Sequence, residues 1–382
     1  MTTNLAPRYK VILRDTNFEI LAVFDEWRSL TYTRKINNVG AYAFDLGGAD
    51  SRIDLFDVDY ILEIQRSVPG MGLGWYPDFI GFHRYDKYNV ADNGDISYGS
   101  AGVGINDLLS RRIINYPEGT VKAYKYDISE TVMKAYVYEN CGAGATLANE
   151  REIDGVMPNF EVELDDGNGI LWEGDRAFEN LLDVLRDVGD WGGLDFEIVW
   201  DSASKTFMFI TAFGQLGLDR TILGLVETTG LNDAGNAPTV FSTTRGNVSN
   251  SSWENDRMSE ATVVSVLGEG DGATRLVKVR QSLAIDDSKW NQREIARTRQ
   301  GYESEMEVYG DEVLADSAAK EALTFDPIYQ EYCMYGIHYD LGDRVTYLHR
   351  GEARNKRIIE VTNTISPSAD SLSLVFSDLI TT

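Results

Sequence analysis

The sequence predicts a β-rich α+β protein, with two β-rich stretches flanking a smaller α+β part. Three observations predict it. Apolar and polar residues alternate with a period of two through the first hundred residues, broken by turn clusters at short intervals. One strong helical stripe, followed by a hairpin, stands in the middle of the chain. The 20 Tyr, 15 Phe and 35 Gly among 382 residues supply the strand formers and turn formers that such a fold needs.

Strands are predicted at 9–14, 18–24, 30–36, 41–46, 60–65, 79–88 and 95–100. In 41–46, Tyr42, Phe44 and Leu46 share one face while Ala41, Ala43 and Asp45 share the other. The Gly-rich stretch 68–74 joins two strands and is expected to be flexible. Short helices are expected at 105–114 and 128–138. The clearest helix is 176–188, with Phe178, Leu181, Leu182, Leu185 and Val188 on one stripe, Asp175 as N-cap, and Gly189 with Gly192 and Gly193 ending it. A hairpin over 196–213 turns at 201–204. The polar segment 229–238 reads as a linker. Later strands are predicted at 261–267, 275–281, 344–349, 357–365 and 371–376, with helices at 288–300 and 312–323.

Lys plus Arg total 35 and Asp plus Glu 61, a net charge of −26. This excludes a phosphate-neutralising grip on nucleic acid and attraction to an anionic membrane. Acidity serves solubility, and it also suits a duct through which DNA passes without sticking. No stretch approaches the roughly 18 apolar residues of a membrane span. The opening residues 1–7 lack a basic start followed by an apolar run, so no secretory signal is expected. Cys141 and Cys333 form neither a metal spacing nor a disulfide framework, which points to synthesis in a reducing cytoplasm.

No motif carries catalysis. Gly268-Glu269-Gly270-Asp271-Gly272 lies between two strands, lacks Lys-Ser/Thr and holds two acids that repel phosphate, so a tight hairpin is the better reading. Asp165-Asp166-Gly167-Asn168-Gly169 lacks the alternation of a calcium loop and reads as a turn. Asp187, Asp190 and Trp191, and Trp253, Glu254 and Asp256, place acids beside tryptophan as glycosidases do, without a specific spacing. His83, His338 and His349 share no ligand pair. No catalytic residue, cofactor site or metal site is expected.

Several segments together resemble the siphophage tail-hub family, whose fold is similar to the baseplate hub of contractile phages. They are Tyr9-Lys10-Val11-Ile12-Leu13-Arg14-Asp15 with Leu30-Thr31-Tyr32-Thr33-Arg34-Lys35 and Val39-Gly40-Ala41-Tyr42-Ala43-Phe44; Phe79-Ile80-Gly81-Phe82 before Leu108-Leu109-Ser110-Arg111-Arg112; Asn180-Leu181-Leu182-Asp183-Val184-Leu185-Arg186 with Gly192-Gly193-Leu194-Asp195-Phe196; Gly246-Asn247-Val248 with 261–270; and Tyr339-Asp340-Leu341-Gly342-Asp343-Arg344-Val345 with 357–361. Each is weak alone, and their joint order spans nearly the whole chain.

The resemblance implies two tail-tube-like β-barrel domains with intervening α+β domains. The division it suggests is 1–110 for the first barrel, 111–228 for an α+β domain, and 229–382 for a second barrel-containing region with a helical insertion at 286–324. It further implies a structural, non-enzymatic tail-tip hub in the virion. That hub is a homotrimer, a ring that bears on the distal tail ring, the tape-measure protein and receptor-binding or fibre proteins, and lets DNA through its lumen. From the net charge of −26, and the like-charge repulsion that would keep DNA from adhering, the lumen is expected to be acidic. The chain stops just past its last β segment, so the hydrolase or fibre domain that longer relatives append is expected to be missing. The rival from another class is a carbohydrate-active enzyme or glycan-binding surface protein.

Overall fold

The alternation of the first hundred residues becomes seven strands: β1 (Arg8–Arg14), β2 (Ile20–Phe24), β3 (Ser29–Lys35), β4 (Ala41–Gly47), β5 (Ile61–Val68), β6 (Leu73–Val90) and β7 (Ile96–Gly104). The structure is a computed structural model that describes residues 5–116, 119–146, 153–299 and 302–378. By internal contacts the chain forms two units, Met1–Asn250 with Phe325–Thr382, and Ser251–Thr324. The sequence reading divides it into three parts instead.

In β4, Tyr42, Phe44 and Leu46 are buried while Ala41, Ala43 and Asp45 are exposed, as the period requires. The buried set joins Leu30 and Tyr32 of β3, Val11 and Leu13 of β1, and Leu62 and Ile64 of β5 in one core. The glycine-rich stretch after β5 is a single 3-10 turn, Pro69–Met71, closed by Gly72 at φ 76°.

The middle of the chain gives α1 (Asp107–Ser110), β8 (Ala123–Ile128), α2 (Ser129–Asn140), β9 (Phe160–Val162), β10 (Leu171–Arg176), α3 (Leu181–Gly192), β11 (Leu194–Asp201) and β12 (Thr206–Phe213). The helix expected over 105–114 is only the single turn α1. The helix expected from 176 starts later, at Leu181. Arg176 and Asp175 belong to β10, which pairs with β8. Phe178 sits at φ 60° and is exposed, so it cannot join the stripe. The N-cap is therefore Asn180, whose side chain accepts from the Leu182 N–H, and the helix closes on Gly193 in the left-handed region. Leu181, Leu182, Leu185 and Val188 pack with Val132, Met133, Tyr136 and Val137 of α2 and with Phe196 and Phe209 of the hairpin β11–β12.

Next come β13 (Asp219–Arg220) and β14 (Val240–Phe241). The polar segment between them is tied in rather than loose. Asn232 is buried and donates to the carbonyls of Asp219 and Thr221. The chain crosses into the second unit along β15 (Val248–Asp256). That unit holds β16 (Val263–Leu267), β17 (Val277–Gln281), β18 (Glu294–Thr298) and α4 (Glu303–Asp316), and the chain leaves it along β19 (Lys320–Pro327).

Strand β16 is central, antiparallel to β17 and parallel to β18, and α4 covers one face through Met306, Val313 and Leu314 on Val264 and Val266. Two helix predictions fail here. Within 288–300 the regular element is the strand β18, mostly exposed with only Ile295 partly buried, which pairs with β16 residue for residue; Gln300 lies outside the described residues. Of 312–323, only the part to Asp316 is helical, and Lys320 begins β19. The insertion expected to be helical is thus a three-stranded sheet with one helix.

The chain ends in β20 (Arg344–His349), β21 (Glu352–Ile365) and β22 (Asp370–Asp378). β21 pairs with β20 through its first half and with β3 through its second, so the C-terminal strands lie directly beside the N-terminal ones. The resulting order in the first unit is β22-β21-β3-β4-β7-β6-β5-β1-β2, an open path among the described strands.

Candidate functional site: an open sheet face of small side chains

Period-two alternation that buries Tyr, Phe and Leu on one face must send the intervening residues to the other. Across β22, β21, β3, β4, β7 and β6, register sets those intervening residues in rows. One row runs Ser371, Thr364, Thr31, Ala43, Ala101, Tyr85. The next runs Ser373, Thr362, Thr33, Ala41, Val103. A third runs Ser29, Asp45, Gly99, Lys87. The face is paved with serine, threonine, alanine and glycine, and Ala41, Ala43, Thr364, Ser371 and Ser373 are exposed.

Its polar groups bond sideways. The Thr33 and Thr362 hydroxyls lie 2.9 Å apart, Ser29 donates to the Asp45 carboxylate at 2.6 Å, and Lys35 pairs with Glu360 at 2.9 Å. Asp45 and Glu360 offset Lys35 and Lys87, so the face is charge-balanced in a chain of net charge −26. Such a surface offers little for another molecule to hold. Among the described residues of the three rows the one large exposed apolar side chain is Tyr85, and the two carboxylates match the two lysines.

A buried polar network fixes the sheet from behind. Asp78 accepts from Tyr32 Oη at 2.5 Å, Arg34 Nη1 at 3.0 Å and Tyr335 Oη at 3.0 Å. Arg34 also reaches Asp340 at 2.8 Å. Arg66 is fully buried; it donates to the Tyr335 carbonyl at 2.7 Å and to Tyr76 Oη at 3.2 Å, and its guanidinium stands over the Tyr335 ring. Burial first, with smaller charge effects, holds the Tyr32 and Tyr335 hydroxyls well above the usual phenol range, so both remain donors. The irregular segment between β19 and β20 is thereby clamped to β3, β5 and β6. Spacing in the sequence gives no sign of this network, because Asp78 and Tyr335 lie 257 positions apart.

The motifs weighed in the sequence do not converge on a reaction. The Gly268–Gly272 loop joins β16 to β17 as a hairpin. In the 165–169 loop, Asp165 accepts from Thr131 and from the Gly167 N–H. Asp187 pairs with Arg176, and Trp191 Nε1 donates to the Leu171 carbonyl. His83 is buried against Ser100, His338 accepts from the Met334 N–H, and His349 stacks on Tyr347. Cys141 and Cys333 are free and buried. Among the described residues no group of three or more His, Cys, Asp or Glu could hold a metal ion, and no helix is long and apolar enough to cross a membrane.

Solved structures share this fold at very low identity. The 43 kDa tail protein of prophage MuSo2 from Shewanella oneidensis matches with a TM-score of 0.60 and 10% identity, over 96% of this chain and 97% of its own. The tail protein from Neisseria meningitidis MC58 matches with a TM-score of 0.56 and 12% identity, over 97% and 96%. A chain of the lidded Francisella PdpA-VgrG complex matches with a TM-score of 0.58 and 10% identity, over 99% of this chain and 53% of that one. No curated protein sequence matches. The family model for the Siphovirus ReqiPepy6 Gp37-like protein matches residues 10–376, and the chain therefore belongs to that family of siphovirus tail proteins.

Proposed function

We propose that this tail protein is the structural hub of a siphophage tail tip, and that the open face of β22, β21, β3, β4, β7 and β6 lines the path of the DNA. The observation that carries the proposal is the face itself, broad, small-sided and charge-balanced in an otherwise acidic chain. Three copies form a ring that closes or continues the tube. The two tail-tube-like barrels, whose strands remain an open path within one copy, take shape in that ring. The hub catalyses nothing. It bears on the distal tail ring, the tape-measure protein and the receptor-binding parts.

On this reading the lining is neutral, and the acidic lumen expected from composition does not apply to this face. DNA passes because the surface offers no adhesion, and repulsion is not required. Copy number tests the hub role. Quantitative mass spectrometry of purified virions should give three copies per tail, and light scattering of the isolated ring a mass near three times 42.7 kDa. A copy number of one, or one in the hundreds as for a tube subunit, contradicts it.

A further inference from the structure

Strand β6 outruns one of its two neighbours. β5 pairs with it only as far as Phe82, while β7 follows it to Val90. From Arg84 to Val90 every residue is exposed, Tyr85, Tyr88 and Val90 among them. Among the described residues no strand pairs with the second edge of this arm. An unpaired edge with aromatic and β-branched side chains in the open is a template for another strand.

The two ends of the same sheet differ in how they meet solvent. At β2, where Ile20 and Val23 are exposed, Arg52 donates to the Val23 carbonyl at 2.7 Å. Arg52 is itself held by both Asp50 oxygens and lies over the Phe24 ring at 4.4 Å. A charged side chain thus plugs that end, and an added strand would have to displace it. At the other end the hydrogen-bonded path continues from β22 through β19 to β15 and stops. Most of β15 is exposed, Glu254 and Asp256 included.

Charge separates these edges further. Arg84–Val90 carries Arg84 and Lys87 against Asp86, and β15 carries Glu254 and Asp256 with no cation. Arg84 pairs with Asp59 at 2.9 Å, whereas Lys87 and Glu254 make no ion pair among the described residues. Copies of a chain with net charge −26 repel one another except where such segments meet. Opposite charges on facing strands hold them together.

We propose that Arg84–Val90 of one copy pairs as a strand with β15 of a second copy, and that this is the seam of the ring. The contact is head to tail, since each copy offers both edges, and such contacts close into rings. The plug at Arg52 keeps β2 out of the pairing.

The seam rests on the hub reading, and the test separates the two. The full chain, with the photoreactive residue p-benzoylphenylalanine in place of Tyr88, is carried into virions and irradiated. A species of twice 42.7 kDa should form on a denaturing gel. Mass spectrometry should place its junction within 248–256. The same probe in place of Val23 should give no such species. A charge swap supplies a second measurement. Glu254→Lys should lower the yield of virions with complete tails about tenfold or more, and Lys87→Glu in the same chain should bring it back to within about threefold of wild type. A Tyr88 probe that links only within its own chain, to a different protein or to another part of the second copy overturns the seam. So does its failure to link at all in virions holding three copies per tail, or a swap that restores nothing. The hub reading survives each of these results. A copy number of one overturns the hub reading, and the seam with it.

Discussion

Asp78 shows how much one residue holds together in this fold. It is buried, it accepts from Tyr32, Arg34 and Tyr335, and it joins β6 to β3 and to the segment before β20. Removing it strands Arg34 and two buried hydroxyls, so Asp78→Ala should lower unfolding stability by about 3–5 kcal/mol in urea titration. A loss below 1 kcal/mol would show the network to be incidental. Gly336 belongs to the same clamp. It has φ 78°, and a Cβ there would collide with Tyr76 Oη. Gly336→Ala should therefore cost about 1–3 kcal/mol by the same assay.

Glu130 supplies a pH signature. Burial alone would raise its pKa, but Lys134, the Asn168 N–H and the Thr211 hydroxyl outweigh burial and bring it to about 2. A carboxyl depressed on folding contributes stability that is present above the unfolded pKa near 4.5 and lost as pH falls toward 2. Stability should drop by about 2 kcal/mol across that window. The Glu130→Gln variant should lose that part of the acid dependence, and an unchanged acid limb would refute the assignment.

Elements were legible where one face of them is buried. β3, β4 and β5 follow their period because Leu30, Tyr32, Tyr42, Phe44, Leu62 and Ile64 all enter one core. β18 was missed because Glu294–Thr298 is mostly exposed on both sides and carries no period to read. α4 was misplaced toward the C-terminus because its buried positions are few and Gly310 interrupts the pattern. That glycine is there for packing, since a Cβ would come within 2.6 Å of Arg280 Cγ on β17. At α3 the stripe was read correctly from Leu181 onward, while Phe178 and the start were not, because Asp175 looks like a cap until β10 is seen to occupy it. The Asn180 cap is testable. Asn180→Ala loses both the bond to Leu182 N–H and the one to the Ser110 carbonyl, and should cost about 1–2 kcal/mol. One strand of the open face, the exposed alternates Ala41, Ala43 and Asp45 of β4, was readable in the same way. The pairing of Thr33 with Thr362 was not, because it joins strands 329 positions apart.

At the scale of the whole molecule, the family match makes the chain a tail protein, and the small-sided face is what supports the proposed DNA path. Ala43→Arg with Ala101→Arg would put two new charges on neighbouring strands of that face without touching the core. Folding should be nearly unaffected, within about 0.5 kcal/mol. Particles carrying the change should assemble and then eject DNA more slowly, because arginines on the lining would bind phosphate. Ejection at the wild-type rate would remove the face from the DNA path. The most direct measurement is electron cryomicroscopy of the intact tail tip. The account predicts three copies in a ring, with Thr31, Thr33, Ala41 and Ala43 turned toward the channel. A ring in which that face is turned outward, or is buried against another protein, would contradict it.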